Sequence, residues 1–291
     1  MNDSVQDLLQ LLTLERLDDN RFCGESRDIG GSSVFGGQVL GQALSAAEQT
    51  VEGRSAHSMH AYFLLPGDMQ QPILYDVERI RDGRSFSTRR VVARQHGRPI
   101  FNMAASFQIP EAGVEHQAPM PQLPGPEGLP NKTELGERVA PTAPAAIRPY
   151  LTHRRAIEIR PIDPVDPLQP EVRPPQRAVW LRVPGRLPNN PALHRAALAY
   201  ASDYSLLGTA LLPHGLSFLQ RQVQAASLDH AMWFHRDLRV DDWLLYVMDS
   251  PSACGARGLS RGSFFTRDGQ LVASVAQEGL IRQLSPAPAA S

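Results

Sequence analysis

His230-Ala231-Met232-Trp233-Phe234 is the stretch on which the fold turns, because His60-Ala61-Tyr62-Phe63 is a loose copy of it. In each, an aromatic and then a bulky apolar run follow the His-Ala pair. Working outward, Tyr75 matches Tyr246 and the turn at His96-Gly97 matches Asp268-Gly269. The offset between copies drifts only from 170 to 172 residues (230 − 60 and 269 − 97). The segment from His60 to Gln108 thus reads as a copy of the segment from His230 to Glu278. Each has a small-residue helix upstream, Phe35–Val51 in the first and His194–Leu212 in the second. A period this long is not a solenoid. It predicts two copies of one helix-plus-sheet domain in a single chain, an α+β layer architecture. Function is expected at the few polar positions where the copies differ.

Periodicity fills in the elements. Val5–Leu17 reads as a short amphipathic helix with Leu8, Leu9 and Leu12 on one face. In Phe35–Val51, Val39, Leu40, Ala43, Leu44, Ala47 and Val51 form an apolar stripe, with Gly36-Gly37 at its start. The Gly and Ala in that stripe predict close packing, as when a sheet wraps the helix. Strands follow at His57–Leu65, Ile73–Arg81, Ser85–Gln95 and Arg98–Ile109, with hairpin signals at Asp82-Gly83 and His96-Gly97. The second copy reads Ala156–Pro161, Ala178–Val183, the helix, then Gln224–His235, Trp243–Asp249, Ala256–Thr266 and Gln270–Ile281. Between the copies, nine prolines fall between Pro110 and Pro149, which reads as an extended linker. The domain division is 1–110, a Pro-rich linker at 111–150, a second domain at 151–285 and a short tail at 286–291.

Bulk composition narrows the function classes. The 291 residues suit roughly two domains, and 42% hydrophobic with 20% charged residues is ordinary for a globular chain. A net charge of −1 gives no footprint for nucleic acid or an anionic membrane. Two cysteines, Cys23 and Cys254, build neither a zinc site nor a disulfide framework. With no leader visible and no apolar run of membrane length, the expected compartment is the cytoplasm.

Three polar residues stand where apolar ones are expected. Asp203 has Ala199, Tyr200, Leu206 and Leu207 as helical neighbours and no basic residue among them. A carboxylate on such a stripe, buried without a cation, has a raised pKa and makes a useful acid or base. The alternative is a structural Asp bonded to backbone groups or marking a helix break. Gln277 shares a strand face with Leu271, Ala273 and Val275, and its counterpart in the first copy is Ala105. Unaided, the favoured reading is a strand-end residue at the rim. Ser227 begins another strand of the second copy, where a lone Ser is usually a turn residue.

Other motifs carry less. Gly258-Leu259-Ser260-Arg261-Gly262 fits the G-x-S-x-G nucleophile elbow, but no histidine follows Ser260 and the flanks read as hairpin strand. The pairs His57/His60 and His230/His235 lie on opposite strand faces with no clustered Cys or carboxylate, so neither a metal nor a cofactor is expected. Gly36-Gly37 before a helix reads as a phosphate cradle or as close packing.

The motifs also resemble a known family. Phe35-Gly36-Gly37-Gln38-Val39-Leu40-Gly41-Gln42-Ala43-Leu44 is similar to the first helix of the bacterial acyl-CoA thioesterase II (TesB) family. So are His57-Ser58-Met59-His60-Ala61-Tyr62-Phe63-Leu64-Leu65-Pro66-Gly67-Asp68 and Arg81-Asp82-Gly83-Arg84-Ser85-Phe86-Ser87. The second half matches through Tyr200-Ala201-Ser202-Asp203, Leu228–Arg236 and Val272–Gly279, and the likeness is collinear from about Val5 to Arg282. The resemblance implies two tandem hot-dog domains, each a helix wrapped by an antiparallel sheet. It implies hydrolysis of fatty acyl-CoA to free acid and CoA, and a catalytic Asp, Thr or Ser, and Gln that fall on Asp203, Ser227 and Gln277. It also implies a homo-oligomer, a dimer or tetramer.

Residue chemistry and resemblance converge on a water held by Asp203, Ser227 and Gln277, with Asp203 as general base. The oxyanion then needs backbone N–H donors, expected at a helix N-terminus. One site per chain is expected, with the first copy as scaffold and substrate wall. The alternatives are a hot-dog hydratase or dehydratase, which needs a His beside the Asp, and a non-catalytic acyl-CoA binding module. Arg84, Arg89, Arg257 and Arg261 are candidates for the CoA phosphates, though each reads first as a solvated strand residue.

Overall fold

The His-Ala repeat lies at the centre of the molecule, where the two copies join. In the computed structural model, which describes residues 3–31 and 33–284, β3 (Ser55–Phe63) runs antiparallel to β10 (Asp229–Phe234). There Ala61 faces His230 and His60 faces Ala231, so the repeated dipeptide pairs with itself. The short tail read at 286–291 lies outside the described residues.

From this seam the sheet extends both ways. On one side it continues through β6 (Arg98–Gln108), β5 (Phe86–Gln95), β4 (Ile73–Asp82), β2 (Arg21–Gly24) and β1 (Glu15–Arg16). On the other it runs through β13 (Leu271–Gln283), β12 (Arg257–Thr266), β11 (Leu244–Cys254), β8 (Gln176–Arg182) and β7 (Glu158–Pro161). A further strand, β9 (Val223–Ser227), pairs with the end of β13. Among the described residues, thirteen strands thus make one sheet, and every pairing is antiparallel. His96 and Gly97 both adopt positive φ (49° and 72°), the hairpin geometry that matches strand twist. Gly255 and Ala256 do the same between β11 and β12.

Two helices fill the inside of the curved sheet, α2 (Gly36–Glu48) and α5 (Pro191–Ser202). They lie antiparallel and close. A Cβ on Gly41 would stand 2.9 Å from the Ala196 carbonyl oxygen, and one on Gly37 would overlap that of Tyr200. Gly37 and Gly41 of α2 therefore serve its sister helix, where the sequence suggested the sheet. Leu40, Leu44 and Ala47 are fully buried beside Phe101, Met103 and Phe107 of β6. Each such leucine contributes about 1.5–3 kcal/mol of burial.

Several elements depart from the periodicity. Helix α1 (Asp3–Leu12) stops five residues before Leu17, because Glu15–Arg16 pair with Phe22 and Cys23 as edge strand β1. The predicted helix His194–Leu212 breaks in two, α5 and α6 (Leu206–Leu211), with Ser205 left-handed at φ 71° between them. The predicted strand Gln224–His235 is β9 and β10, separated at Leu228, whose N–H and C=O bond to Glu278 and Phe63. Residues read as an extended linker include α3 (Lys132–Val139) and α4 (Arg148–Thr152). Asn131 and Glu134 form a capping box that starts α3.

Candidate active site

The break between α5 and α6 positions Asp203. As the C-cap of α5 it no longer follows the helical stripe, and its carboxylate reaches across to the N-terminus of α2. Oδ2 accepts the N–H of Gly37 at 2.9 Å, a residue 166 positions away in sequence. The positive end of the α2 dipole thus faces the acid. Oδ1 accepts from Gln277 Nε2 at 2.8 Å, and the same nitrogen donates to Ser227 Oγ at 3.0 Å. All three residues named from the sequence meet in one hydrogen-bonded cluster.

Strand geometry explains why they meet. Ala273, Val275, Gln277 and Gly279 alternate inward along β13, and Gly279 pairs with Ser227 of β9. Gln277 is 1% exposed. A carboxylate only accepts, so its contact fixes the amide with nitrogen toward Asp203 and Ser227 and leaves Oε1 free of them. Ser227 accepts from that nitrogen, so its hydroxyl hydrogen remains to donate elsewhere. Each Asp203 oxygen uses one lone pair, so each can accept once more.

Burial pushes the Asp203 carboxyl up; the hydrogen bonds from Gln277 and Gly37, with the Ser227 hydroxyl close by, pull it part of the way back. Among the described residues, no cation is one of the groups acting on it. The residue keeps a limited accessible surface, the opening that a reacting molecule needs. Phe35, Tyr200 and Tyr204 form an aromatic cluster at this end of the helix pair, in edge-on and tilted contacts with ring centroids 4.5–5.8 Å apart. The far end of the helix pair is built differently. There Glu48 of α2 meets Arg195 of α5 at 3.2 Å, both side chains nearly buried. One end holds a neutralised ion pair, and the other a carboxylate supplied only with neutral donors.

The end of α2 was not assigned to the site by the sequence. Gly36-Gly37 offered a cradle or close packing, and the pair does the second while giving one N–H to Asp203. The N–H of Gly36, in the same turn, makes no hydrogen bond with a described residue. A Cβ at Gly36 would lie 2.8 Å from Asp203 Oδ2 and 3.0 Å from the Phe63 ring, so only glycine leaves this corner open. The first copy is therefore more than a wall, since it supplies the Gly37 N–H to Asp203.

Other candidates fall outside the cluster. His230 Nε2 lies 2.9 Å from Ser202 Oγ, and burial lowers its pKa to about 3, so it is neutral and not a partner of Asp203. His57 bonds Ser106. No group of three His, Cys, Asp or Glu among the described residues is arranged to hold a metal. Arg89 is buried against Asp82 and Thr50, Arg257 pairs with Glu278 and Arg261 with Asp249. Ser260 sits in the middle of β12, not on a strand-to-helix elbow.

Two helices clasped inside one antiparallel sheet, with a hydrogen-bonded carboxylate where they meet, define a double hot-dog protein. A protein with a hot-dog fold from Alicyclobacillus acidocaldarius superposes with TM-score 0.75 over 97% of this chain and 99% of that one, at 19% identity. Residues 25–108 match the acyl-CoA thioesterase N-terminal domain and residues 153–280 match acyl-CoA thioesterase. Acyl-CoA thioesterase 2 of Haemophilus influenzae is 44% identical over 97% of this chain and 99% of its own. The crystal structure of acyl-CoA thioesterase II TesB2 from Mycobacterium marinum has TM-score 0.77 at 42% identity, covering 96% of this chain and 99% of that one. The chain belongs to the acyl-CoA thioesterase family.

Proposed function

We propose that the chain hydrolyses fatty acyl-CoA thioesters to free acid and CoA, with Asp203 as general base. The observation that carries this reading is a carboxylate held only by neutral donors, its pKa raised by burial and its remaining lone pairs unused. A water accepted between Asp203 and Ser227 gives its proton to Asp203 as its oxygen attacks the thioester carbonyl. The tetrahedral oxyanion takes the N–H of Gly36 and the positive end of α2. Collapse breaks the C–S bond, and Asp203 returns the proton to the departing thiolate. Gln277 holds both Asp203 and Ser227, so its work is positioning. The mechanism forms no acyl-enzyme.

Release of free thiol from acyl-CoAs of graded chain length tests this reading. Thiol release supports hydrolysis; an absorbance change without thiol would mean a hydratase, and neither would mean a binding module. Ser227→Ala is expected to lower kcat about tenfold at little cost in KM, since water positioning is lost and a carboxylate base remains. Activity is expected to fall as pH drops through the raised value of Asp203, because the base must be ionised. An acid limb unchanged from wild type in Asp203→Glu, or an acyl group trapped on Ser260, would sink the mechanism. The same reading expects action in the cytoplasm, as a dimer or tetramer.

A further inference from the structure

Helices α3 and α4 of the linker enclose a cavity of about 340 Å³ against α6 and strands β7 and β8, within the range of about 300–1,000 Å³ usual for small-molecule sites. Its walls are mostly apolar, with Leu135, Val139 and Leu151 from the linker and Leu211, Leu212 and Phe218 from α6 and the chain after it. Three partly buried cations, Lys132, Arg155 and Arg177, line the same space. Of the two exposed carboxylates at the rim, Asp163 pairs with Arg173 at 2.7 Å and Asp166 accepts the Leu168 N–H. Arg155 is tied to the carbonyls of Tyr150 and His153. Lys132 and Arg177 are freer. Among the described residues, Lys132 Nζ bonds only the Ser205 hydroxyl, at 3.3 Å, and Arg177 forms no ion pair but rests its guanidinium against Gly208. Ser205 and Gly208 are three residues apart on α6, so both cationic heads meet one face of it. Burial lowers the Lys132 ammonium to about 7, with repulsion from Arg155 and Arg177 adding to it, and lowers the Arg177 guanidinium to about 10. Cations taken out of water are ordinarily paired, and here the pairing group is missing.

We propose that this cavity binds a fatty-acid anion, with its carboxylate on Lys132 and Arg177 and its alkyl chain along the leucine-lined wall. Each half of that ligand answers one half of the site. A neutral acyl chain would fill the apolar volume and leave two desolvated cations unpaired. A phosphate of CoA would pair with the cations but set its polar ribose against leucine. The cavity also adjoins the Asp203 cluster. Ser205 stands two residues after Asp203, and the wall includes Tyr150, whose buried phenol feels the Asp203 charge. Fatty acid is the proposed product, so its accumulation should slow turnover. That consequence rests on the proposed hydrolysis; the binding itself does not.

Isothermal titration of the full chain with decanoate, decanol and CoA tests the site. Decanoate should bind, and decanol, with the same chain and no charge, should bind at least about tenfold more weakly. Lys132→Met and Arg177→Met keep apolar bulk and remove one charge each. Each should weaken decanoate binding about 10–100-fold without lowering the melting temperature, since a cation without a partner does not hold the fold. Decanoate affinity in Asp203→Asn should match wild type. A large gain there would put the carboxylate on the Asp203 cluster itself and overturn the proposal. Decanoate should also inhibit thiol release from acyl-CoA, with about tenfold more needed in Arg177→Met. Absence of decanoate binding, or equal binding of decanoate and decanol, would overturn the proposal and leave hydrolysis untouched. So would CoA affinity lost in Arg177→Met while decanoate affinity stays. Decanoate binding without any thiol release would sustain the site and sink the proposed function instead.

Discussion

Asp203→Asn is expected to lose about 10²–10⁴-fold in kcat, or roughly 3–5 kcal/mol of transition-state stabilisation, and to gain stability at neutral pH. The two effects share one cause. Burial raises the Asp203 pKa in the folded chain, so the folded state prefers the protonated acid. For a carboxylate raised in this way, stability is fullest below its unfolded value and declines as pH rises through the folded value. At neutral pH the chain carries the cost of an ionised, enclosed carboxylate, and a neutral amide removes it. Asparagine fits the same space, and rotation of the Gln277 amide can meet its new NH₂. Urea denaturation should therefore give the variant a higher midpoint at pH 7.5, with the advantage vanishing on acidification. A variant as active as wild type, or one less stable at every pH, would contradict the role given to this carboxylate.

Gly37→Ala is expected to damage both stability and activity. An added Cβ overlaps the Tyr200 carbonyl oxygen and lies 2.5 Å from the Phe35 ring. The carbonyl belongs to the α5 backbone and cannot swing aside, so the helices must part. Overpacking of this kind costs about 1–3 kcal/mol and sometimes more. The helix-propensity gain from Gly to Ala, about 1 kcal/mol, offsets only part. At about 2–4 °C per kcal/mol in a chain of this size, a melting temperature lower by several degrees is expected. Any parting of the helices also withdraws the residue-37 N–H from Asp203, so kcat should fall with it. An unchanged melting temperature and kcat would show that the helix contact is looser than the backbone geometry requires.

The sequence located side chains better than backbone. Asp203 and Gln277 stand out because each breaks an apolar or repeated pattern, as Gln277 does against Ala105; Ser227 breaks none and is reached only through the family resemblance. The Gly37 donor on α2 carries no such mark, since a peptide N–H is the same in every residue. The break at Ser205 was hidden because Ala199, Leu206 and Ala210 continue one apolar face across it. Leu228 was hidden likewise, since a strand that changes partner keeps its alternation. Helix α3 was legible and overlooked: Asn131 and Glu134 spell a capping box, but the surrounding prolines suggested extended chain.

The seam between β3 and β10 bears on how asymmetry becomes available. Two separate copies meeting through that pairing would form a twofold dimer with the same residues at both ends of the helix pair. Every substitution would then appear twice. In a tandem chain the tether keeps the halves at high effective concentration while their sequences drift apart. One end keeps Asp203 with its neutral donors, and the other accepts the Glu48–Arg195 pair. Chains cut within residues 111–130 and coexpressed should regain the site only as a mixed pair, because Gly37 and Asp203 come from opposite halves.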